Sequence, residues 1–439
     1  MKRLAVIMVG AAAGLLSGCP IIGGTKYTVG GTMTGLRGSG LVLELNGGGD
    51  LSFSGNGGFV FGTRLDNHAA YTVAVKTQPV NPSQTCAVRN GSGTINGNSF
   101  SNVIVACTAT SRFAYVANEL SNTVTAYAIN SASGALVTSS ASPYAANGTA
   151  PAALTIDPNG QFLYVANSGT NNLSIFSIDN ATGNLTPFGF STSTGSGPAA
   201  VAVDPTDHYL YVANQQSNTV SAYAIKQGAL TAVLGSPYAV GQAPASLAVD
   251  PNGNFLFVTN FAGNSVSIFS IDQANGMLSA IAGAPFATGA GPQSIAIDPT
   301  KAFAFVADEA ANSVSAYALN PSTGALTPVP GSPFAVGGNP QSLVVDPAGR
   351  YVFAANIAAN QVATYSITPA SGALTFVSAT DAGLLPTAMA IDPSGQFLYA
   401  ANFNSNTVSA YTVSASGALA RVPGSPFATF LQPRSIAIY

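Results

Sequence analysis

The sequence predicts an all-β protein: a seven-bladed β-propeller, closed by its C-terminal strand, behind an N-terminal immunoglobulin-like β-sandwich. Three observations carry this expectation. One motif recurs seven times between Phe113 and Tyr439, at a period of about 47 residues. Each copy holds four strand-like runs bounded by Gly, Asn or Pro. The 439 residues include 47 Gly and 27 Pro, yet 47% are hydrophobic, so the chain is rich in turns and still has ample material for a core.

The first element is an address. Met1, Lys2 and Arg3 form a basic start, and Leu4 to Leu16 is apolar or small throughout. That run is too short for a membrane-spanning helix, which needs about 20 residues. Residues 1–18 therefore read as an export signal. It ends in Leu16-Ser17-Gly18-Cys19, which resembles the bacterial lipobox. The resemblance implies cleavage before Cys19, lipid on its sulfur, and residues 19–26 as a tether in the cell envelope. Export also places Cys86 and Cys107 in an oxidising compartment. They are expected to pair, the alternative being two buried free thiols.

Residues 27–109 alternate apolar runs with Gly/Asn turns such as Asn46-Gly47-Gly48-Gly49. Seven short strands are expected: 27–36, 41–45, 51–54, 59–63, 70–77, 85–88 and 103–107. This pattern suggests a sandwich. His68, in Asp66-Asn67-His68, reads as a solvated loop residue.

The propeller occupies residues 110–439. Each repeat is read as strands A to D, from the channel outwards. Strand A is a short Ile/Val/Leu/Ala run such as Ser294–Ile297, and strand B is of the Phe-x-Tyr-Val-Ala-Asn type, as in Phe162–Asn167. Strand C alternates, as in Thr219–Ile225. Strand D is Pro-rich and belongs at the outer edge, because Pro has no N–H to donate to a ladder. The first copy starts on strand B at Phe113, and the last ends on an A strand, Ser435–Tyr439. Residues 435–439 should therefore join the first blade and close the ring, removing two exposed sheet edges. An outer-membrane barrel would need strands of about 9–11 residues, longer than strand A.

Three repeated positions have structural readings. Strand B carries aromatics at i and i+2 (Phe162 and Tyr164, Phe303 and Phe305), and strand C carries one more, such as Tyr223. Residues two apart share a face, so these rings should pack blade against blade. Asn or Asp ends each strand B, with an Asn four residues on, as in Asn214 and Asn218. These pairs should cap the B–C turns. Six Asp-Pro turns, beginning at Asp157, raise calcium as an option. Each Asp stands alone in its own blade, however, and Asp-Pro starts a tight turn unaided. Neither metal nor cofactor is expected.

With their Tyr-Val-Ala-Asn and Phe257-Val258-Thr259-Asn260 segments, the repeats resemble the YVTN-type propellers. The region from residue 113 to 439 is similar to the lactonase-like seven-bladed family, which includes 6-phosphogluconolactonases and muconate-lactonising enzymes. The resemblance implies a propeller acting on lactones. Enzymes of that family carry a Pro-Arg-His element entering an inner strand, with Arg, His and Glu at the channel mouth. In Pro433-Arg434-Ser435 the Arg matches, and Ser435 stands where the family has His.

Charge is sparse: 13 Lys+Arg against 16 Asp+Glu, with only two His. No basic run follows Arg3, which excludes a nucleic-acid partner. Sorting charges by loop puts Glu119, Asp308, Glu309, Asp381 and Arg434 on the B–C/D–A face. Asp207, His208, Lys301 and Arg350 fall on the other. Glu119 and Arg434 meet in one blade once the ring closes, either as a surface ion pair or as an anion-binding cation beside a proton-moving acid. Two functions are therefore expected in outline. The first, favoured by the few acid–base residues, is a lipid-anchored envelope scaffold presenting a face to a protein or glycan. The alternative is a lactone hydrolase or isomerase using Arg434 and Glu119, with Asp308 and Glu309 as further candidates.

Overall fold

The computed structural model describes residues 25–36, 40–79, 84–109, 113–300 and 302–439. Residues 1–18, expected to be an export signal, lie outside them, as do Cys19 and Lys301.

Residues 27–109 form two four-stranded sheets. In one, Gly57–Leu65, Tyr27–Thr34, Phe100–Ala109 and Gln84–Arg89 lie side by side, with Tyr27–Thr34 parallel to Phe100–Ala109. In the other the order is Gly48–Phe53, Leu41–Leu45, Ala70–Thr77 and Ser92–Thr94. Alternate residues of both sheets, among them Val29, Leu43, Phe61, Tyr71 and Val103, fill a single core. Cys86 and Cys107 face each other across one antiparallel pair and are joined by a disulfide. The sequence reading missed the eighth strand, Ser92–Thr94, which pairs with Ala70–Thr72. It is short, wholly exposed and built from Ser, Gly and Thr, so it carries no apolar alternation.

From Phe113 onward seven sheets form, each ordered A-B-C-D. Blade 1 takes its strand A from the far end of the chain. Pro433–Ile438 pairs antiparallel with Phe113–Asn118, Ala437 opposite Tyr115 and Ile438 opposite Ala114. Phe113 and Tyr439 exchange two backbone hydrogen bonds of 3.0 Å each. The ring closes as the phase of the repeat demands.

The outer strand differs from the expected single run. In six blades it is two short pieces, such as Leu326–Pro328 and Phe334–Ala335 in blade 5. Pro333 interrupts the ladder there, and Ser332 Oγ accepts the strand C amide of Ala316 at 2.9 Å. Ser142, Ser236 and Ser425 do the same in blades 1, 3 and 7. Blade 6 has no Pro in this stretch, and Leu374–Asp381 runs unbroken.

The aromatics lock neighbouring blades together. The first ring of each strand B lies over the Gly of the next blade's C–D turn: Phe113 over Gly183, Phe162 over Gly228, and round to Phe397 over Gly134. A Cβ at Gly183 would overlap the Phe113 ring, and its φ of +72° is a conformation that only Gly adopts freely. The second ring is fully buried, and Tyr115 donates its hydroxyl to the Gly183 carbonyl at 3.0 Å. The strand C ring reaches the blade before it, as Tyr127 Oη donates to the Ala428 carbonyl at 2.5 Å.

Both Asn positions are structural, but their side chains reach strand C and the following D–A loop rather than the amides of the B–C turn that the sequence suggested. Asn167, at the end of strand B, donates to Ser174 Oγ at 2.8 Å. The second Asn has a positive φ in every blade, and its Oδ1 accepts an amide from the following D–A loop, as Asn122 does from Ala150 at 2.7 Å. The Asp-Pro carboxylates are buried turn caps. Asp250 Oδ1, for example, accepts the Phe255 amide at 2.7 Å. Among the described residues no cluster of three or more His, Cys, Asp or Glu is arranged to hold a metal ion.

Candidate functional site at the channel mouth

Seven strands A converge on the axis, and their starts line a cavity of about 340 Å³ on the B–C/D–A face. Two rings of residues shape it. The inner ring is the residue after each strand A proline. On blades 2, 3 and 4 it is Ala152, Ala199 and Ala245; on blades 5, 6 and 7 it is Gln293, Gln341 and Thr387; and on blade 1 it is Arg434. The scaffold is seven-fold, but the floor is not: one half is small and apolar, the other long and hydrogen-bonding. Beneath it, Ser294 and Ser342 tie the floor together by accepting the amides of Leu343 and Met389, each at 3.1 Å.

The outer ring is the residue after strand B. On blades 1, 2, 3 and 5 it is Glu119, Ser168, Gln215 and Glu309; on blades 4, 6 and 7 it is Phe261, Ile357 and Phe403. Of these seven, Glu119, Ser168 and Gln215 line the cavity. Ring closure brings Glu119 to Arg434. The Glu119 amide donates to the Gln432 carbonyl at 2.8 Å, and Arg434 Nε lies 3.9 Å from Glu119 Oε2. The guanidinium also sits 5.7 Å from the centroid of the Phe403 ring, within cation–π range. Among the described residues lining the cavity, Arg434 and Glu119 are the only ionisable groups. The Arg434 charge extends to Glu309. Burial pushes the Glu309 carboxyl above its ordinary value, and Arg434 partly offsets that rise.

Asp308 is not at this surface. It is fully buried beneath the rim, where its carboxylate accepts the hydroxyls of Thr288 at 2.8 Å and Ser315 at 2.6 Å. It occupies the place of the strand-B Asn of the other blades, and burial raises its pKa. Asp381 lies on the outer strand of blade 6, accepting from Gln361 Nε2 at 3.0 Å. His208 stays on the opposite face, with Nδ1 3.0 Å from Thr206 Oγ1. Phe403, Gln293 and Gln341 were not anticipated. For the two Gln the signal was available in the seven loops around strand A, where the residue after the proline changes character between blades. Gln341 Oε1 is buried without a hydrogen-bond partner among the described residues, so the cavity wall holds an unused acceptor.

These features define a closed seven-bladed propeller with a polar, acid-and-arginine channel mouth. The family model described as "Lactonase, 7-bladed beta-propeller" matches residues 51–242, 229–342 and 338–428. The chain belongs to that family. No curated sequence relative matches it. Among solved structures, a Bacteroides uniformis protein described as a 6-phosphogluconolactonase is 20% identical, with a TM-score of 0.67 over 75% of this chain and 100% of that one. A periplasmic gluconolactonase from Pseudomonas aeruginosa is 21% identical, with a TM-score of 0.65 over 75% and 99%. Hydrazine synthase from Kuenenia stuttgartiensis reaches a TM-score of 0.51 at 18% identity, covering 65% and 88%. At these identities the likeness shows the shared fold.

Proposed function

We propose that the channel mouth hydrolyses a lactone. Family membership favours this reading over the binding scaffold, and the observation that carries it is the pairing of Arg434 with Glu119, the Arg434 charge reaching Glu309, at an otherwise uncharged cavity. The guanidinium offers N–H donors to the lactone carbonyl oxygen as it gains negative charge. Glu119 takes a proton from the attacking water, whose oxygen bonds to the carbonyl carbon. The ring C–O bond then breaks, and the alkoxide takes up a proton to give the hydroxy acid. Glu309, held protonated to higher pH than an ordinary carboxyl, is suited to supply it. The inner-ring amides of Gln293 and Gln341 bind substrate hydroxyls, the free Gln341 Oε1 accepting one.

The test is base uptake in a pH-stat with glucono-δ-lactone, against Arg434→Ala and Glu119→Gln. Each variant should lose roughly 100-fold or more in kcat/KM. Equal rates in all three proteins would refute the assignment. The envelope address rests on the Leu16–Cys19 sequence alone, and we assign the chain to the membrane surface through lipid on Cys19.

A further inference from the structure

The mouth has an apolar side that the hydrolysis itself does not use. Two D–A loops, those leading into blades 7 and 1, differ from the other five. Ahead of the loop's positive-φ residue they carry Leu384 and Leu431, where the others carry Thr149, Ser196, Gln242, Ala290 and Gly338. Leu384, Leu431, Phe430 and Leu120 are between 40% and 58% exposed. They continue directly from the ion pair. The Phe403 amide donates to the Leu385 carbonyl at 2.8 Å, and the next amide, of Asn404, donates to that of Leu384 at 3.2 Å. Leu120 follows Glu119 in sequence, and Leu431 precedes Gln432, whose carbonyl holds the Glu119 amide. Phe403 itself lies against Arg434. An exposed apolar arc adjoining a polar pocket marks a surface that meets something apolar.

The charges bear on what that is. The one guanidinium, Arg434, is already paired with the Glu119 carboxylate, and its field also reaches the Glu309 carboxyl. Among the described residues lining this mouth, a phosphate dianion would find no cation beyond the one already paired, and the Glu119 carboxylate beside it. We infer that the substrate is an uncharged lactone bearing an apolar substituent. Its ring lies over Gln293, Gln341 and Thr387 beside Arg434, and its substituent runs along Phe403, Leu384, Phe430 and Leu431. This inference rests on the lactone-hydrolase reading.

The experiment compares four probes on the purified chain: δ-valerolactone, δ-decalactone, glucono-δ-lactone and its 6-phosphate. Binding is followed by saturation-transfer NMR alongside turnover. δ-Decalactone should exceed δ-valerolactone in kcat/KM by about tenfold or more, because its added methylenes meet apolar surface. Leu431→Ser combined with Leu384→Ser should remove most of that ratio, and the phosphorylated lactone should be the poorest substrate. If δ-valerolactone or the phosphorylated lactone equals or surpasses δ-decalactone while Arg434→Ala still abolishes turnover, the substrate class is overturned and the hydrolase reading stands. If δ-decalactone binds but no lactone is turned over, the apolar subsite stands and the hydrolase reading falls. If no probe is turned over or bound, both are overturned.

Discussion

Asp157 tests the physical account of the scaffold in quantitative terms. Its carboxylate is buried in the A–B turn of blade 2, where Oδ1 accepts the amides of Gln161 and Phe162, each at 2.7 Å. In four sister turns Oδ2 also meets a side chain: Thr206 for Asp204, Thr300 for Asp298, Arg350 for Asp346 and Ser394 for Asp392. At Asp157 the corresponding side chain, Asn159, donates instead to Asp207 at 2.8 Å, and Oδ2 is left without a partner. Burial first, and the neighbouring Asp207 charge with it, push the Asp157 carboxyl up from 3.8 to about 6. The folded state thus holds this proton more tightly than the unfolded chain does. Below pH ~4 both states are protonated and nothing is lost. As pH rises from ~4 to ~6 the group costs stability, up to about 3 kcal/mol at 1.36 kcal/mol per pH unit. Asp157→Asn keeps the accepting Oδ1 and removes the charge. The variant should be roughly 2 kcal/mol more stable than the parent at pH 7, an advantage that fades towards pH 4. Urea denaturation followed by tyrosine fluorescence, repeated at each pH unit from 4 to 8, measures it. A variant no more stable at pH 7, with the parent's pH slope, would refute the reasoning.

Other expectations follow from the same geometry. Gly183→Ala must move the Phe113 ring and strain a positive φ, so it should cost about 3 kcal/mol, read as a lower denaturation midpoint. Tyr115→Phe removes the buried hydrogen bond to Gly183 and leaves that carbonyl unpaired, at about 1–2 kcal/mol in the same assay. Reduction of the Cys86–Cys107 disulfide, which spans 21 positions, should cost the two-sheet region about 3 kcal/mol and speed its proteolysis. Cys19→Ala should shift the exported protein from the membrane pellet to the soluble fraction.

The repeat made most of the architecture legible. Seven copies reveal the phase of the motif, and the phase dictates that residues 433–438 close blade 1. Closure in turn juxtaposes Glu119 and Arg434, far apart in sequence yet adjacent in the ring. The Asp-Pro turns and the positive φ of the second Asn follow from local backbone chemistry and were readable for that reason, whereas the Asn hydrogen bonds to strand C and to the D–A loop were not. Features that depend on the neighbouring blade were not. The seating of each strand B aromatic on the next blade's turn glycine needs the inter-blade distance, which no single repeat encodes. The separation of Asp308 from Glu309 escaped because adjacent residues in a strand end face opposite ways, one into the core and one to the rim. Phe403 was hidden among aromatics that pack the core, although it follows strand B rather than lying within it. The asymmetry of the inner ring was visible in the sequence but has meaning only once the seven positions are known to face one cavity.

A double-mutant cycle tests most directly whether Arg434 and Glu119 work as one site. The kcat/KM for lactone hydrolysis is measured in the parent, Arg434→Ala, Glu119→Gln and the double variant. Acting as a unit, the two should be strongly non-additive, the double variant losing little more than the worse single one. Losses that multiply in full, or single variants as active as the parent, would contradict a shared site at the channel mouth.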